Sequence, residues 1–102
     1  KESNAGGTIA AALGRMDIAA LVFQGRSPAG KSRILKLDQK GGAALLPAAE
    51  YRGLGTYALM EKLIRAHGPK IAVLCIGPAG EQRSLSASIQ SSDMEGRPCR
   101  AA

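Results

Sequence analysis

Glycine divides this sequence into short segments, which limits the chain to short helices and strands. Thirteen of the 102 residues are glycine, and several of them directly follow an apolar stretch. Because glycine adopts turn conformations that other residues avoid, a helix or strand can end at each of these positions. No apolar run approaches the roughly 20 residues that a membrane-spanning helix needs. We therefore expect a single small domain over residues 1–102, with no membrane span.

The hydrophobic patterns between the glycines predict both helices and strands. Residues 6–13 are predicted as a short helix, and residues 56–67 as an amphipathic helix with Thr56 as its N-cap. The apolar face of this second helix is predicted to contain Tyr57, Met60, Leu63 and Ile64. Strands are predicted at residues 17–23, 32–38, 43–47, 71–76 and 84–88, while residues 91–100 are predicted to be irregular. Since helices and strands do not alternate strictly, we expect an α+β fold: mixed β-sheet with two short-to-medium helices.

The charge balance favours an anionic ligand without specifying one. Lys and Arg outnumber Asp and Glu by 14 to 8, which gives a net charge of +6, but the cations are spread along the chain. A basic module for an acidic partner is therefore one hypothesis. Aromatic residues are only 3% of the chain, which leaves little for base stacking, so we do not expect a nucleic acid partner. The chain start lacks a secretory pattern, and a cytoplasmic location is expected.

The segment from Gly25 to Ser32, GRSPAGKS, fits the spacing of a phosphate-binding loop. Such a loop needs a helix after its Lys-Ser end and an acidic residue on another strand to help hold magnesium. Gly41 and Gly42 follow too soon for an ordinary helix, and the apolar run of residues 71–76 leads into Gly-Pro rather than Asp. We therefore predict a hairpin turn between two strands and keep nucleotide binding by residues 25–32 as the alternative.

Single residues that often carry chemistry have structural interpretations in this chain. His67 lies in the last turn of the second helix, where a cation interacts favourably with the helix dipole. Cys75 lies in an apolar run and is predicted to be buried, and Cys75 with Cys99 are too few for a disulfide framework or a metal cage. Glu81 is predicted to accept hydrogen bonds from backbone donors and hold its turn. We predict no catalytic residue and no metal ligand.

Three motifs in order resemble the N-terminal domain of the aldehyde ferredoxin oxidoreductase family, the tungsten- or molybdenum-pterin enzymes. They are SNAGG at residues 3–7, CIGPAGE at residues 75–81, and RPCRAA at residues 97–102. The resemblance spans nearly the whole chain and implies a fragment of a cofactor-binding domain. Arg15-Met16-Asp17 stands where the family usually has Gly-Tyr-Asp or Gly-Phe-Asp, and Tyr51-Arg52 replaces the usual Leu-Trp. Both departures are interpreted as changes in packing.

The resemblance implies that this domain is a base on which a bis-pterin cofactor sits. Family contacts carry over to Asn4 and Gly6 in the first motif and to Arg100 and Ala101 in the last. Glycine lets backbone donors approach a flat ring system, and arginine offers a fixed fork to a phosphate. The complete enzyme would oxidise an aldehyde to a carboxylic acid with a ferredoxin-like electron acceptor. The ligands of its 4Fe-4S cluster would lie outside this chain, the isolated piece would be inactive, and a homodimer is left open.

Overall fold

The computed structural model describes residue 2, residues 4–28 and residues 30–99. Within these ranges the protein forms short helices and two small antiparallel sheets, so the predicted α+β class is confirmed. The helices are α1 (Ile9–Arg15), α2 (Thr56–His67) and the single turn α3 (Pro78–Glu81), with a 3-10 turn at Ala49–Tyr51. The strands are β1 (Arg33–Leu37), β2 (Ala43–Pro47), β3 (Leu74–Cys75), β4 (Gln90–Ser92) and β5 (Pro98–Cys99).

The first sheet is a two-stranded hairpin of β1 and β2. The strands pair antiparallel, with Leu35 opposite Leu45 at the centre. In the turn between them, the Asp38 carboxylate accepts hydrogen bonds from the backbone N–H groups of Lys40 at 2.8 Å and Gly42 at 2.9 Å. An aspartate that bonds its own turn in this way fixes a tight connection. The hairpin confirms the strands predicted at residues 32–38 and 43–47.

The second sheet contains β3, β4 and β5 in that order, with both pairs antiparallel. Ser91 of β4 lies opposite Leu74 of β3 on one side and opposite Cys99 of β5 on the other. The strand predicted at residues 84–88 is wrong. The irregular structure predicted for residues 91–100 is wrong at residues 91–92 and 98–99, which lie in β4 and β5, while residue 100 lies outside the described residues. Polar β4 is a strand because it has a neighbour on both sides, a tertiary condition that its sequence does not express.

The core forms where α2 packs over the loops and the second sheet. Its buried residues are Ala48, Tyr51, Leu59, Met60, Leu63, Val73 and Cys75, with Ile34, Leu54 and Ile71 packed against them. Of the predicted apolar face of α2, Tyr57 is 69% exposed, so its assignment to the core was wrong; Leu59 is buried in addition to Met60 and Leu63. Gly55, rather than Thr56, is the N-cap of this helix.

The Tyr51-Arg52 pair, which departs from the family pattern, contains one buried and one exposed residue. The Tyr51 side chain is 8% exposed, and the Lys62 ammonium lies 4.9 Å from its ring centre. Arg52 is exposed and donates a hydrogen bond to the carbonyl of Gly30 at 3.1 Å. The interpretation as packing holds for Tyr51 and is wrong for Arg52.

The strand predicted at residues 17–23 is absent from the structure. Val22 and Phe23 are 81% and 72% exposed, and the neighbouring candidate strand, β1, pairs with β2 instead. An apolar run becomes a buried strand only if another strand pairs with its backbone. Among the described residues no strand does so. Within the same ranges, no helix combines the length and the hydropathy that would let it cross a lipid bilayer.

Candidate functional site

The segment before α1 is attached to strand β4 through Thr8. The Thr8 backbone N–H donates a hydrogen bond to the carbonyl of Ser92 at 2.8 Å. Its hydroxyl donates to the same carbonyl at 3.0 Å and lies 3.0 Å from the Ser92 hydroxyl. Thr8 is also the N-cap of α1. These bonds join residues that are 84 positions apart and fix the N-terminal segment on the second sheet.

Gly7 makes the closest approach of this segment to the sheet. Its φ is +95°, and a Cβ placed on it would lie 2.5 Å from the Ser92 carbonyl oxygen and 2.6 Å from the Ser91 hydroxyl oxygen. Both distances are shorter than Cβ contacts in real proteins. Only glycine combines this backbone angle with this spacing. The second glycine of the SNAGG motif is therefore explained by backbone packing.

The two serines beneath this segment are buried, and the Ser92 hydroxyl is hydrogen-bonded to other segments of the chain. Ser91 is 0% exposed and Ser92 is 1% exposed. The Ser92 hydroxyl accepts a hydrogen bond from the Val73 N–H at 2.9 Å, and the Ser92 N–H donates to the Val73 carbonyl at 2.9 Å. Since buried hydroxyl groups need partners, the serines act as a polar joint between β4, the residue before β3, and the N-terminal segment.

The joint brings two distant motifs of the sequence to one strand. Gly7 of SNAGG lies against the Ser91 side chain, and the Ser91 backbone pairs with Cys99 of the last motif. Cys99 directly precedes Arg100. The chain segments that carry the predicted cofactor contacts thus approach the same residue of β4 from the two ends of the sequence.

Of the four residues predicted to contact a cofactor, two lie within the described residues and two lie outside them. Asn4 and Gly6 are exposed, and, apart from Gly6 and its two chain neighbours, no heavy atom of the described residues lies within 4 Å of the position a Cβ would take on Gly6. Arg100 and Ala101 lie outside the described residues. Helix capping, the competing interpretation of Asn4 and Gly6, is wrong because α1 begins at Ile9 with Thr8 as its N-cap.

The loop of residues 25–32 lacks the structure of a nucleotide-binding loop. The chain enters β1 at Arg33, directly after the Lys-Ser end, so the loop leads into a strand and not into a helix. The prediction of a turn is confirmed in part: the Lys31 N–H donates to the Pro28 carbonyl at 3.0 Å. The prediction of a hairpin is wrong, since residues 17–23 form no strand with which β1 could pair.

The remaining candidate residues have structural roles. Cys75 is buried, and this burial raises the pKa of its thiol above the ordinary value of 9.0, which keeps it protonated and unreactive at neutral pH. The Glu81 carboxylate accepts hydrogen bonds from the Gly53 N–H at 2.9 and 3.1 Å, which confirms the predicted backbone donor but places it 28 residues away and not in the turn of Glu81. His67 lies in the last turn of α2. The part of the chain that the structure describes contains no group of three or more side chains able to hold a metal ion.

The sequence analysis missed the residues that build the joint: Thr8, Ser91 and Ser92. A Gln-Ser-Ser stretch has no hydrophobic alternation, so nothing in its pattern indicates a buried strand. The one available signal was Gly7 itself. Two consecutive glycines before a helix indicate that something approaches the backbone closely, although they do not say what.

Comparisons with known proteins add one finding to this geometry. The model of the family described as "Aldehyde ferredoxin oxidoreductase, N-terminal domain" matches residues 1–102. Comparison with curated proteins and with solved structures gave no match. The family match covers the whole chain, including both motifs that meet at β4.

Proposed function

Because this chain belongs to the aldehyde ferredoxin oxidoreductase family by its N-terminal domain, we propose that it forms the base beneath a tungsten- or molybdenum-bis-pterin cofactor. The complete protein is then an oxidoreductase that converts aldehydes to carboxylic acids. In this reaction the aldehyde gains the oxygen of a water molecule and gives up two electrons and two protons. The electrons pass to a ferredoxin-like carrier.

The observation that carries the proposal is the meeting of the first and last motifs at Ser91. Gly7 lies against the Ser91 side chain, and Cys99 of β5 pairs with the Ser91 backbone. A cofactor that contacts residues from both ends of the chain needs such a shared strand beneath it. The arrangement supports one binding surface formed by both motifs.

The exposed residues of the first motif fit a flat, polar ligand. The open space above Gly6 would be filled by any side chain at this position, whereas glycine leaves the backbone accessible to a ring system. The exposed amide of Asn4 offers both a donor and an acceptor. Gly7 and Thr8 fix the segment to the sheet, and in this position Asn4 and Gly6 would bind and orient the pterin. When bound, the cofactor supplies the redox chemistry.

The test uses the complete protein and measures how much cofactor it carries. We expect Asn4→Ala and Gly6→Val to reduce the bound metal and the extractable pterin several-fold relative to wild type. Lys70→Ala is the control, because Lys70 is exposed and belongs to neither motif. Metal content is measured by mass spectrometry and pterin by the fluorescence of its oxidised form. Unchanged metal and pterin in both variants, with the protein folded, would refute the proposed role of this segment.

A further inference from the structure

A concave surface lies between the loop residues 26–28 and 30–32 on one side and α3 on the other. This cleft has a volume of about 480 Å³. Neither Asn4 nor Gly6 lines it, so among the described residues it is separate from the surface considered above. Four of its lining residues are cations, Arg26, Lys31, Arg52 and Arg83, and one is a carboxylate, Glu81. We name it the basic cleft.

The positive charge of the basic cleft has little compensation. Glu81, its one carboxylate among the described residues, is bonded to the backbone N–H of Gly53 rather than to a cation. Within the described ranges, the four cations of the cleft form no ion pair, whereas Lys62, Arg65 and Arg97 elsewhere each pair with a carboxylate. Like charges gathered without counter-charges repel one another, and a bound anion would remove this repulsion.

Two of the arginines have defined local geometry: Arg52 through a side-chain hydrogen bond and Arg83 through its backbone. The Arg52 guanidinium donates to the Gly30 carbonyl at 3.1 Å, which ties the loop to the chain segment before α2. Arg83 has a φ of +59°, a left-handed conformation that normally favours glycine. Its N–H donates to the Gly80 carbonyl at 3.0 Å at the end of α3. A glycine at this position would relieve the backbone, so the arginine there has a cost in stability.

The lining also indicates what kind of anion fits. The described lining residues include no aromatic side chain, so a nucleobase would find no aromatic ring to stack on. Arginine binds phosphate oxygens through two parallel hydrogen bonds, and the cleft volume lies in the range of small-molecule sites. We propose that the basic cleft binds a compact phosphate-bearing anion, recognised through its phosphate groups.

The experiment is a calorimetric titration of the complete chain with pyrophosphate at low ionic strength. Wild type is expected to bind, and Arg52→Gln and Arg83→Gly are each expected to bind at least about fivefold more weakly, because each loses a charge-assisted hydrogen bond. Lys70→Gln removes an exposed cation outside the cleft and is expected to change the affinity less than about twofold.

Arg83→Gly should meanwhile unfold at the same or a higher temperature than wild type. Asp17→Gly is its backbone control, since Asp17 also has a positive φ, of +57°, and lies outside the cleft.

Further titrations distinguish binding in the basic cleft from non-specific attraction of anions to a positively charged protein. ATP is expected to bind about as tightly as pyrophosphate, and adenosine not to bind, because the base gains no contact. Three results would each overturn the proposal: no binding of pyrophosphate, an equal loss of affinity in Lys70→Gln and Arg83→Gly, or tighter binding of a single-stranded oligonucleotide than of pyrophosphate. The last result would instead indicate a nucleic-acid surface.

Discussion

At the scale of single residues, the two adjacent glycines of the first motif have different physical roles. Gly7 has a positive φ and lies too close to Ser91 and Ser92 for any side chain. Gly6 has open space at its Cβ position. Gly6 therefore leaves the surface above it open, while Gly7 lets the chain pack on the sheet. Of these two adjacent glycines, Gly6 is thus a candidate binding residue, and Gly7 is needed for folding.

This difference predicts that two alanine substitutions have unequal effects on stability. Gly7→Ala is expected to lower the free energy of unfolding by about 2 kcal/mol or more, because a left-handed backbone and a steric overlap act together. Gly6→Ala is expected to change it by less than about 0.5 kcal/mol. Urea unfolding followed by circular dichroism measures both. Equal stability of the two variants would mean that Gly7 does not lie against β4.

At the scale of elements, the β4–β5 hairpin depends on the charged residues of its turn. The Asp93 carboxylate accepts hydrogen bonds from the backbone N–H groups of Arg97 at 2.8 Å and Glu95 at 2.9 Å, and from the Arg97 guanidinium at 2.9 Å. The bond from the Arg97 backbone contributes most to lowering the pKa of Asp93 below its ordinary value of 3.8. The hairpin that presents Cys99 to Ser91 is therefore held by an ionised aspartate.

The pKa shift gives this hairpin a defined pH dependence. Since the folded pKa of Asp93 is lowered, its contribution to stability is present above pH 3.8 and is lost as the pH falls through the folded value. We expect Asp93→Asn to unfold at a lower temperature than wild type at neutral pH, and this difference to shrink below pH 3.8. Thermal unfolding from pH 2 to pH 7 measures it. Glu61→Gln, which breaks only an exposed pair with Arg65, is the control and should have a small effect throughout. A difference for Asp93→Asn that is constant with pH would contradict the role of the charge.

At the scale of the whole molecule, burial is uneven along the chain. The core lies around α2 and the second sheet, with β1 contributing Ile34 at its edge. Residues 19–24 lie outside it, although Leu21, Val22 and Phe23 are apolar. Among the described residues, no hydrogen bond links the backbone N–H groups of residues 19–24 to a partner. Stability is therefore expected to differ sharply along the chain.

Hydrogen exchange measures this difference directly. The amides of residues 19–24 are expected to exchange within seconds, while those of α2 between residues 60 and 67 are protected by helical hydrogen bonds and a buried face. Mass spectrometry of peptic fragments resolves the two regions. The β1–β2 hairpin is the internal control for a strand pair near the surface. Strong protection of residues 19–24 would mean that this apolar run pairs with another strand after all.

Local sequence determined the elements whose signals lie within a few residues. The face of α2 with Met60 and Leu63, the end of that helix at Gly68, and the strands on either side of Gly41 could all be predicted, because periodicity and glycine conformation act locally. The family motifs likewise indicated the domain type before any geometry was known. What tertiary structure decided was which segments acquire partners. The polar residues Ser91 and Ser92 became a buried strand because β3, β5 and Thr8 satisfy their hydrogen bonds, while the apolar run of residues 17–23 stayed exposed because β1 paired with β2. Pairing depends on segments far apart in the chain, so no local pattern specifies it.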